Sequence, residues 1–205
     1  MVNLRQGAFF YTIKGNRSLT RAKYLCWLRY MDIMLRVLKN EQFDELYQLF
    51  LESFPVDEFR PYEAQLALVD QENYRVYVFE QEQTIAAFFA IWETDEFVFL
   101  EHFAVRERYR NGGLGGTLLQ ELLKMVQKRV FIEVEPPDDE LKQRRVAFYE
   151  RNGFHFSAYG YIQPALADGR QPIPLNVMAY PGEMDENQFY LFKNWIFTEV
   201  YANSK

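Results

Sequence analysis

A glycine-rich run between a strand-like and a helix-like segment carries the most evident chemistry in this sequence. Its residues are Arg110, Asn111, Gly112, Gly113, Leu114, Gly115, Gly116 and Thr117. Glycines let the backbone turn tightly and let a ligand approach the main chain. The helix that begins here leaves its first N–H groups unpaired, and the positive end of its dipole lies at the same turn. The run therefore predicts an anion site suited to a phosphate or pyrophosphate, to which Arg110 adds a charged donor.

Two common phosphate-binding motifs do not account for this run. A Walker loop ends in Gly-Lys-Ser/Thr, and no lysine stands in the run. A dinucleotide fingerprint that began at Gly113 would need a third glycine at position 118, which is Leu118. A plain glycine-rich turn remains the alternative without a ligand.

Three carboxylates stand on strand-like segments next to this run. Glu101 lies two residues before Phe103, so strand alternation puts both on one face, opposite His102 and Ala104. The other two, Glu133 and Glu135, share a face of the next strand. Each can serve as a base, and Glu133 and Glu135 can also hold a cationic substrate. For each the alternative is a solvated or salt-bridged strand carboxylate.

Hydrophobic periodicity indicates the elements that must position these residues. Strands are predicted over residues 35–39, 75–80, 84–92, 97–105, 130–135, 154–161 and 174–180. Helices are predicted over residues 40–54, 61–70, 114–128, 140–152 and 185–200, the first of them capped by Asn40. A strand meander followed by a strand–helix–strand unit indicates an α+β or mixed α/β domain.

Two motifs, in order and separated by a strand, give the sequence a resemblance to a known family. The run from Arg110 to Gly115 resembles the Arg/Gln-x-x-Gly-x-Gly/Ala signature of the GNAT N-acetyltransferase superfamily. The segment from Phe148 to Phe154 is similar to the FYxxxGF helix that follows the fifth strand of that family. The resemblance extends from about residue 34 to 180. It implies a central mixed, mostly antiparallel sheet of six to seven strands flanked by helices.

The resemblance also implies roles for individual residues. The glycine loop would cradle the pyrophosphate of acetyl-CoA, the co-substrate, while the backbone of Phe103, Ala104 and Val105 would hold its pantetheine. Tyr149 matches the tyrosine that donates a proton to the coenzyme A sulfur, and the N–H of Val105 would stabilise the oxyanion. Members of the family often carry a glutamate or histidine base on the strand that corresponds to the one with Glu101. Glu101 is therefore the first choice for the catalytic base.

The acceptor is not indicated. In the family its pocket comes from the first two helices and the loop between the last strands. Residues 40–70 and 162–174, which correspond to these segments, show no recognisable acceptor signature. Small amines, amino acids, antibiotics and peptide N-termini all remain open, as does an acyl group longer than acetyl.

Composition excludes several other classes of protein. The 205 residues carry a formal net charge of −6, which disfavours a general nucleic-acid binder. Cys26 is the only cysteine, so an intrachain disulfide and a thiolate metal cluster are excluded. The two histidines, His102 and His155, are too few for a typical catalytic zinc site, and no metal is expected. No apolar run reaches the length of a membrane span, and the chain is interpreted as cytoplasmic.

The first 33 residues differ in charge from the rest. Six basic residues and no acidic ones precede Asp32. This basic extension is compatible with a transit peptide, but a mis-assigned start, with the true one at Met31 or Met34, is the preferred interpretation. Residues 34–205 are predicted to form the N-acetyltransferase domain with its C-terminal helix.

The sequence therefore predicts an N-acetyltransferase that transfers the acetyl group of acetyl-CoA directly to a primary amine of a small molecule or peptide. Two other functions remain as alternatives: an acyl-CoA-binding sensor without turnover, and a protein-interaction module built on the same fold. The aromatic final helix is compatible with a homodimer surface.

Overall fold

The computed structural model describes residues 34–202. The predicted N-terminal extension of residues 1–33 lies outside them, so the boundary at residue 34 stays a prediction. No helix within the described residues has the length and apolar character needed to cross a membrane.

A seven-stranded sheet in the order β1-β2-β3-β4-β5-β7-β6 forms the centre of the domain. Its strands are β1 (Arg36–Val37), β2 (Tyr74–Gln81), β3 (Thr84–Glu93), β4 (Phe97–Val105), β5 (Arg129–Val134), β6 (His155–Gln163) and β7 (Ile173–Tyr180). All neighbouring strands are antiparallel except β4 and β5, which are parallel. The predicted fold class, a mixed α/β domain with a mostly antiparallel sheet, is confirmed.

Helices flank this sheet. They are α1 (Phe43–Ser53), α2 (Tyr62–Leu68), α3 (Leu114–Val126), α4 (Glu140–Arg151) and α5 (Glu186–Trp195). The last continues as a π-helical segment, Ile196–Tyr201. The prediction that Asn40 caps α1 was wrong, because Asn40 opens a 3₁₀ turn and α1 begins only at Phe43.

Aromatic side chains explain why α1 and α5 pack on the sheet. Phe50 of α1 lies 4.6 Å from Phe88 of β3, measured between ring centroids. Phe192 of α5 lies 5.5 Å from Phe99 and 5.0 Å from Phe131. Burying each such ring stabilises the fold by roughly 1.5–3 kcal/mol, which accounts for the helical spacing of aromatic residues in both segments.

Strand β4 carries a β-bulge at Glu101. Leu100 pairs with Ile91 and His102 pairs with Ala90, so Glu101 has no counterpart on β3. An extra residue of this kind interrupts the alternation of side chains along the strand. Glu101 and His102 therefore lie on the same face.

Contacts on the two faces of β4 agree with this pairing. Glu101 accepts a hydrogen bond from the indole of Trp92, on the face that packs against α1 and α5. Phe103 stacks on Phe89 and contacts Phe148, on the opposite face. The prediction that Glu101 shares a face with Phe103 was wrong, because alternation assumes a regular strand and the bulge shifts it by one residue.

Candidate active site

A cleft opens where β4 and β5 separate. Their parallel pairing runs from Phe97 opposite Arg129 to Leu100 opposite Ile132. Beyond that point β5 continues to pair with β7, up to Val134, whereas residues 101–105 of β4 continue without β5. The resulting cavity has a volume of about 380 Å³. The sequence-predicted residues that line it are Glu101, Phe103, Ala104, Val105, Arg110, Glu133, Glu135 and Tyr149.

The glycine loop forms an open turn at the start of α3. Asn111 and Gly113 have φ angles of 64° and 82°, a left-handed conformation that asparagine tolerates and glycine adopts freely. The N-cap of α3 is Gly113, which has no side chain to cap the first turn, and a Cβ built on Gly112 or Gly113 meets no atom within 4 Å. The turn therefore leaves open space at the N-terminus of α3, which is the geometry expected of an anion site.

Packing beneath the turn connects it to the cavity. A Cβ on Gly115 would lie 3.5 Å from the side chains of Phe103 and Val105. The Arg110 Nε donates a hydrogen bond of 2.6 Å to the Val105 carbonyl, so the loop is fastened to the end of β4. Thr117 donates to the Gly113 carbonyl within the same turn, at 3.1 Å. The remaining loop residues do not line the cavity but adjoin it through these contacts.

Tyr149 reaches the cavity from α4. Asp139 caps this helix by accepting a hydrogen bond from the Lys142 N–H. The tyrosine ring packs against Phe148 and Phe154, and its hydroxyl makes no hydrogen bond to any described residue. Burial raises the pKa of Tyr149 to about 12. At neutral pH the hydroxyl is therefore a neutral proton donor at the cavity wall.

Glu101 lies at the cavity wall in a buried ion pair. Its Oε1 is 2.7 Å from the Arg60 Nη1, and its Oε2 accepts a hydrogen bond of 2.8 Å from Trp92. Burial alone would raise the pKa of Glu101, but the Arg60 charge, together with His102 and the hydrogen bonds, outweighs it and lowers the pKa below its usual range. Both carboxylate oxygens are thus already bonded.

Glu133 has a different environment. Its Oε1 accepts hydrogen bonds from the hydroxyls of Tyr161 and Tyr201, and the described residues donate none to its Oε2. Burial raises the pKa of Glu133 to about 7, against the lowering effect of the two tyrosines. Sequence reasoning did not single out either tyrosine, and Tyr201 lies on the π-helical segment, 68 residues away along the chain.

The last two carboxylates at the cavity also differ from each other. Glu135 pairs with Arg145 at 2.9 Å and with Lys142 at 3.5 Å, both on α4. Glu58, at the end of a 3₁₀ turn between α1 and α2, was not predicted from the sequence. Its carboxylate makes no ion pair or hydrogen bond with the described residues. Burial raises the pKa of Glu58 to about 7.

The arrangement combines an open glycine turn, a neutral hydroxyl donor and carboxylates whose pKa lies near 7, all around one cleft. Such a set can bind a phosphorylated cosubstrate, protonate a leaving group and accept a proton from a nucleophile.

Comparison with known proteins identifies the family. The model of the Acetyltransferase (GNAT) family matches residues 43–154, more than half of the chain. A GNAT-family protein from Bacteroides thetaiotaomicron is 28% identical, with a TM-score of 0.77 over 82% of this chain and 98% of that one. The ribosomal-protein-S18-alanine N-acetyltransferase from Escherichia coli is 21% identical, with a TM-score of 0.57 over 75% of this chain and 97% of that one.

A structure of NAA60 from Arabidopsis thaliana in complex with acetyl-CoA shares the fold at 15% identity, with a TM-score of 0.56 over 72% of this chain and 97% of that one. No curated protein matches the sequence. The chain belongs to the GNAT family of acetyltransferases.

Proposed function

We propose that this protein is an N-acetyltransferase that moves the acetyl group of acetyl-CoA directly to a primary amine of a small molecule or a peptide. Membership of the family implies acetyl transfer from acetyl-CoA to an amine. The observation that carries the proposal is the cleft between β4 and β5, which has the glycine turn beside it and Tyr149 in its wall.

The glycine turn fits the pyrophosphate of acetyl-CoA. A Cβ built on Gly112 or Gly113 meets no atom within 4 Å, so the space above the turn is open to a phosphate. The first turn of α3, whose N-cap Gly113 has no capping side chain, supplies N–H groups and the positive end of the helix dipole. The backbone of Phe103, Ala104 and Val105 borders the cleft where β5 no longer pairs with it, so this strand edge is proposed to bind the pantetheine arm.

When bound, acetyl-CoA supplies a thioester whose carbonyl carbon forms the new C–N bond with the amine as its C–S bond breaks. The proton lost by the amine nitrogen goes to a carboxylate of the cavity. The Tyr149 hydroxyl donates a proton to the departing sulfur. A neutral donor is needed for that step, and the raised pKa of Tyr149 keeps its hydroxyl protonated.

Three carboxylates of the cavity, Glu101, Glu133 and Glu58, are candidates for the role of base. Glu101 is the residue favoured by the sequence, but both of its oxygens are bonded and its pKa is lowered. Glu133 keeps its Oε2 without a donor from the described residues and has a pKa of about 7. A base works best with a pKa near the working pH. Glu58 meets the same criterion, with a pKa of about 7 and no bonded oxygen among the described residues. Glu133 lies on β5, one of the two strands whose separation opens the cleft. It is therefore the proposed base, with Glu101 and Glu58 as alternatives and Glu135 as a further carboxylate for a cationic acceptor.

Two measurements test this function. Calorimetric titration with acetyl-CoA reports cosubstrate binding, and release of free thiol in the presence of a panel of primary amines reports turnover. Binding together with amine-dependent thiol release is the expected result. Folded protein that does not bind acetyl-CoA would overturn the proposal, and binding without turnover of any amine would leave a coenzyme A-binding protein.

A further inference from the structure

The last turn of the C-terminal helix departs from α-helical winding. Residues Ile196–Tyr201 form a π-helical segment directly after α5. Tyr190, Asn194 and Phe197 recur at α-helical spacing, and all three are exposed. At that spacing Tyr201 would come next on the same exposed face. Tyr201 is instead only 5% exposed, so the extra residue of the π turn carries its side chain to the buried face of the helix.

Two consecutive residues of this segment contact the groups around the cavity. The Tyr201 hydroxyl donates a hydrogen bond to the Glu133 Oε1. The Val200 carbonyl accepts a hydrogen bond of 3.0 Å from Arg60, the partner of Glu101. The π-helix is a rare conformation that occurs frequently at functional sites. Here the altered winding connects the end of the chain to both buried carboxylates.

Glu133 is held at one of its two oxygens. It lies on β5 two residues after Phe131, so both side chains lie on the face that packs against α5. On this face the hydroxyl of Tyr161, from β6, also donates to Oε1. Oε2 has no donor among the described residues, yet it is not closed to solvent, so it is open to the cavity that Glu133 lines. The protein thus binds one oxygen and leaves the other to a ligand.

The two tyrosines are themselves fixed by packing. The ring of Phe197 lies 5.5 Å from the ring of Tyr161 and 5.4 Å from the ring of Tyr201, measured between centroids. A glutamate side chain has several rotatable bonds, and ordering it costs conformational entropy. Two fixed donors at Oε1 order the Glu133 carboxylate before an amine arrives, which is the condition for efficient proton transfer.

We infer that Tyr201 is a positioning residue for Glu133: its hydroxyl holds Oε1, so that Oε2 faces the amine and accepts its proton. The contact between the Val200 carbonyl and Arg60 fixes the turn that carries this hydroxyl. The inference rests on the proposed function, since it assigns Tyr201 a part in the same reaction. Tyr201 acts through Glu133 and exchanges no proton with the substrate.

The hold of Tyr201 on the carboxylate is tested without turnover. Tyr201→Phe removes the hydroxyl and keeps the ring, and Tyr190→Phe is the matched control at an exposed position of α5. NMR of protein labelled at the glutamate carboxyl carbon reports the pKa of Glu133, whose resonance is the one absent from Glu133→Gln. A hydrogen bond to the carboxylate lowers its pKa, so Tyr201→Phe should raise it from about 7 by about one unit or more. The other groups that act on Glu133 are unchanged in both variants: Tyr161, Glu101 and Arg60.

Turnover separates positioning from a mere change of pKa. The pH profile of kcat/KM is measured by thiol release from acetyl-CoA with the fastest amine of the panel. At pH values above the acid limb Glu133 is ionised in every variant, so a change of pKa alone would leave the plateau unchanged. Positioning predicts a plateau about tenfold or more lower in Tyr201→Phe, with an unchanged KM for acetyl-CoA. Tyr190→Phe should keep the wild-type plateau and the wild-type pKa of Glu133.

Three results would overturn the inference. The first is an unchanged pKa of Glu133 in Tyr201→Phe, and the second is an unchanged plateau, which would leave a hydroxyl that only adjusts the pKa. The third is an acid limb that stays in place while the pKa of Glu133 moves, because another carboxylate would then be the base. A wild type that releases no thiol with any amine would overturn the proposed function instead, and a shifted Glu133 titration would still show that Tyr201 holds the carboxylate.

Discussion

Arg60 and Glu101 form an ion pair of 2.7 Å between side chains that are only 1% and 6% exposed. The pair lies at the bulge of β4, and it also reaches the C-terminal segment, because the Arg60 Nη2 donates to the Val200 carbonyl at 3.0 Å. Trp92 donates to the other Glu101 oxygen. The bulge that turns Glu101 toward α1 and α5 is thus held by contacts from three separate parts of the chain.

Replacing Arg60 should destabilise the fold strongly. Arg60→Met leaves the Glu101 charge buried without its cation, and breaking a buried pair in this way costs about 3–5 kcal/mol. The free energy of unfolding, measured by urea denaturation, should fall by that amount. The double variant Arg60→Met, Glu101→Leu should recover most of the loss, because an apolar pair of similar volume needs no counter-charge.

Lys124→Met is the control, because it breaks an exposed ion pair instead of the buried one. Lys124 and Glu121 lie 2.7 Å apart but are 68% and 39% exposed, and such pairs contribute less than about 1 kcal/mol. If Arg60→Met were no less stable than Lys124→Met, the stabilising role of the buried pair would be refuted.

The proposed anion site should be blocked by a negative charge at Gly112. Gly113 is a poor position for this test, because any side chain at its φ of 82° adds about 1 kcal/mol of strain. A Cβ at Gly112 meets no atom within 4 Å, and its φ lies outside the left-handed region. Gly112→Glu should weaken acetyl-CoA binding about 100-fold or more, since a carboxylate opposes the pyrophosphate charge.

Gly112→Ala separates charge from the mere presence of a side chain. It adds only the Cβ, so calorimetry should find acetyl-CoA binding close to that of the wild type. Unchanged binding by Gly112→Glu would mean that the pyrophosphate lies elsewhere and that the turn serves the fold alone.

Hydrophobic periodicity predicted much of the fold, and the continuous glycine-rich run predicted the turn. Strand and helix periodicities depend on neighbours a few residues apart, and the turn is encoded in one continuous run. The bulge at Glu101 was missed, because an alternating pattern contains no sign of an inserted residue. The one local hint was the pair of polar residues, Glu101 and His102, in an otherwise apolar strand.

Long-range partners could not be predicted from the sequence. Arg60 lies 41 residues from Glu101, and Tyr201 lies 68 residues from Glu133. Whether a carboxylate is a base, a salt bridge or a ligand for a cation depends on such partners rather than on its neighbours in sequence. For the same reason Glu58, in a segment without a recognisable signature, emerged only from the packed structure.

Tyr149→Phe should separate binding from catalysis. The ring keeps its contacts with Phe148 and Phe154, so acetyl-CoA should bind within about threefold of the wild-type affinity. Loss of the proton donor should lower kcat about 100-fold or more. Steady-state thiol release and calorimetry on the same preparation measure both quantities.

Tyr180→Phe is the matched control, because its ring also packs against Phe154, at 5.4 Å, but does not line the cavity. This variant should keep the wild-type kcat. An equal loss of kcat in the two variants would point to packing of the aromatic cluster rather than to proton donation by Tyr149.

The pH dependence of kcat/KM should identify the base. Burial raises the pKa of Glu133 to about 7, so the carboxylate that accepts a proton is present above this pH and is lost as the pH falls through it. Activity should therefore rise with pH through about 7. The charged and titratable groups that act on Glu133 are Tyr161, Tyr201, Glu101 and Arg60.

Tyr201→Phe removes a hydrogen bond that lowers the pKa of Glu133, so the acid limb of the profile should move to higher pH while acetyl-CoA binding is retained. Glu133→Gln should lower kcat/KM about 100-fold or more and abolish the limb. The pKa of Glu58 is also about 7, so Glu58→Gln decides between the two carboxylates: it should keep the limb, and its loss would make Glu58 the base. A limb that persists in Glu133→Gln and disappears in Glu101→Gln would instead make Glu101 the base, as the sequence predicted. The same profile would show that a buried ion pair with Arg60 does not prevent a carboxylate from accepting the proton.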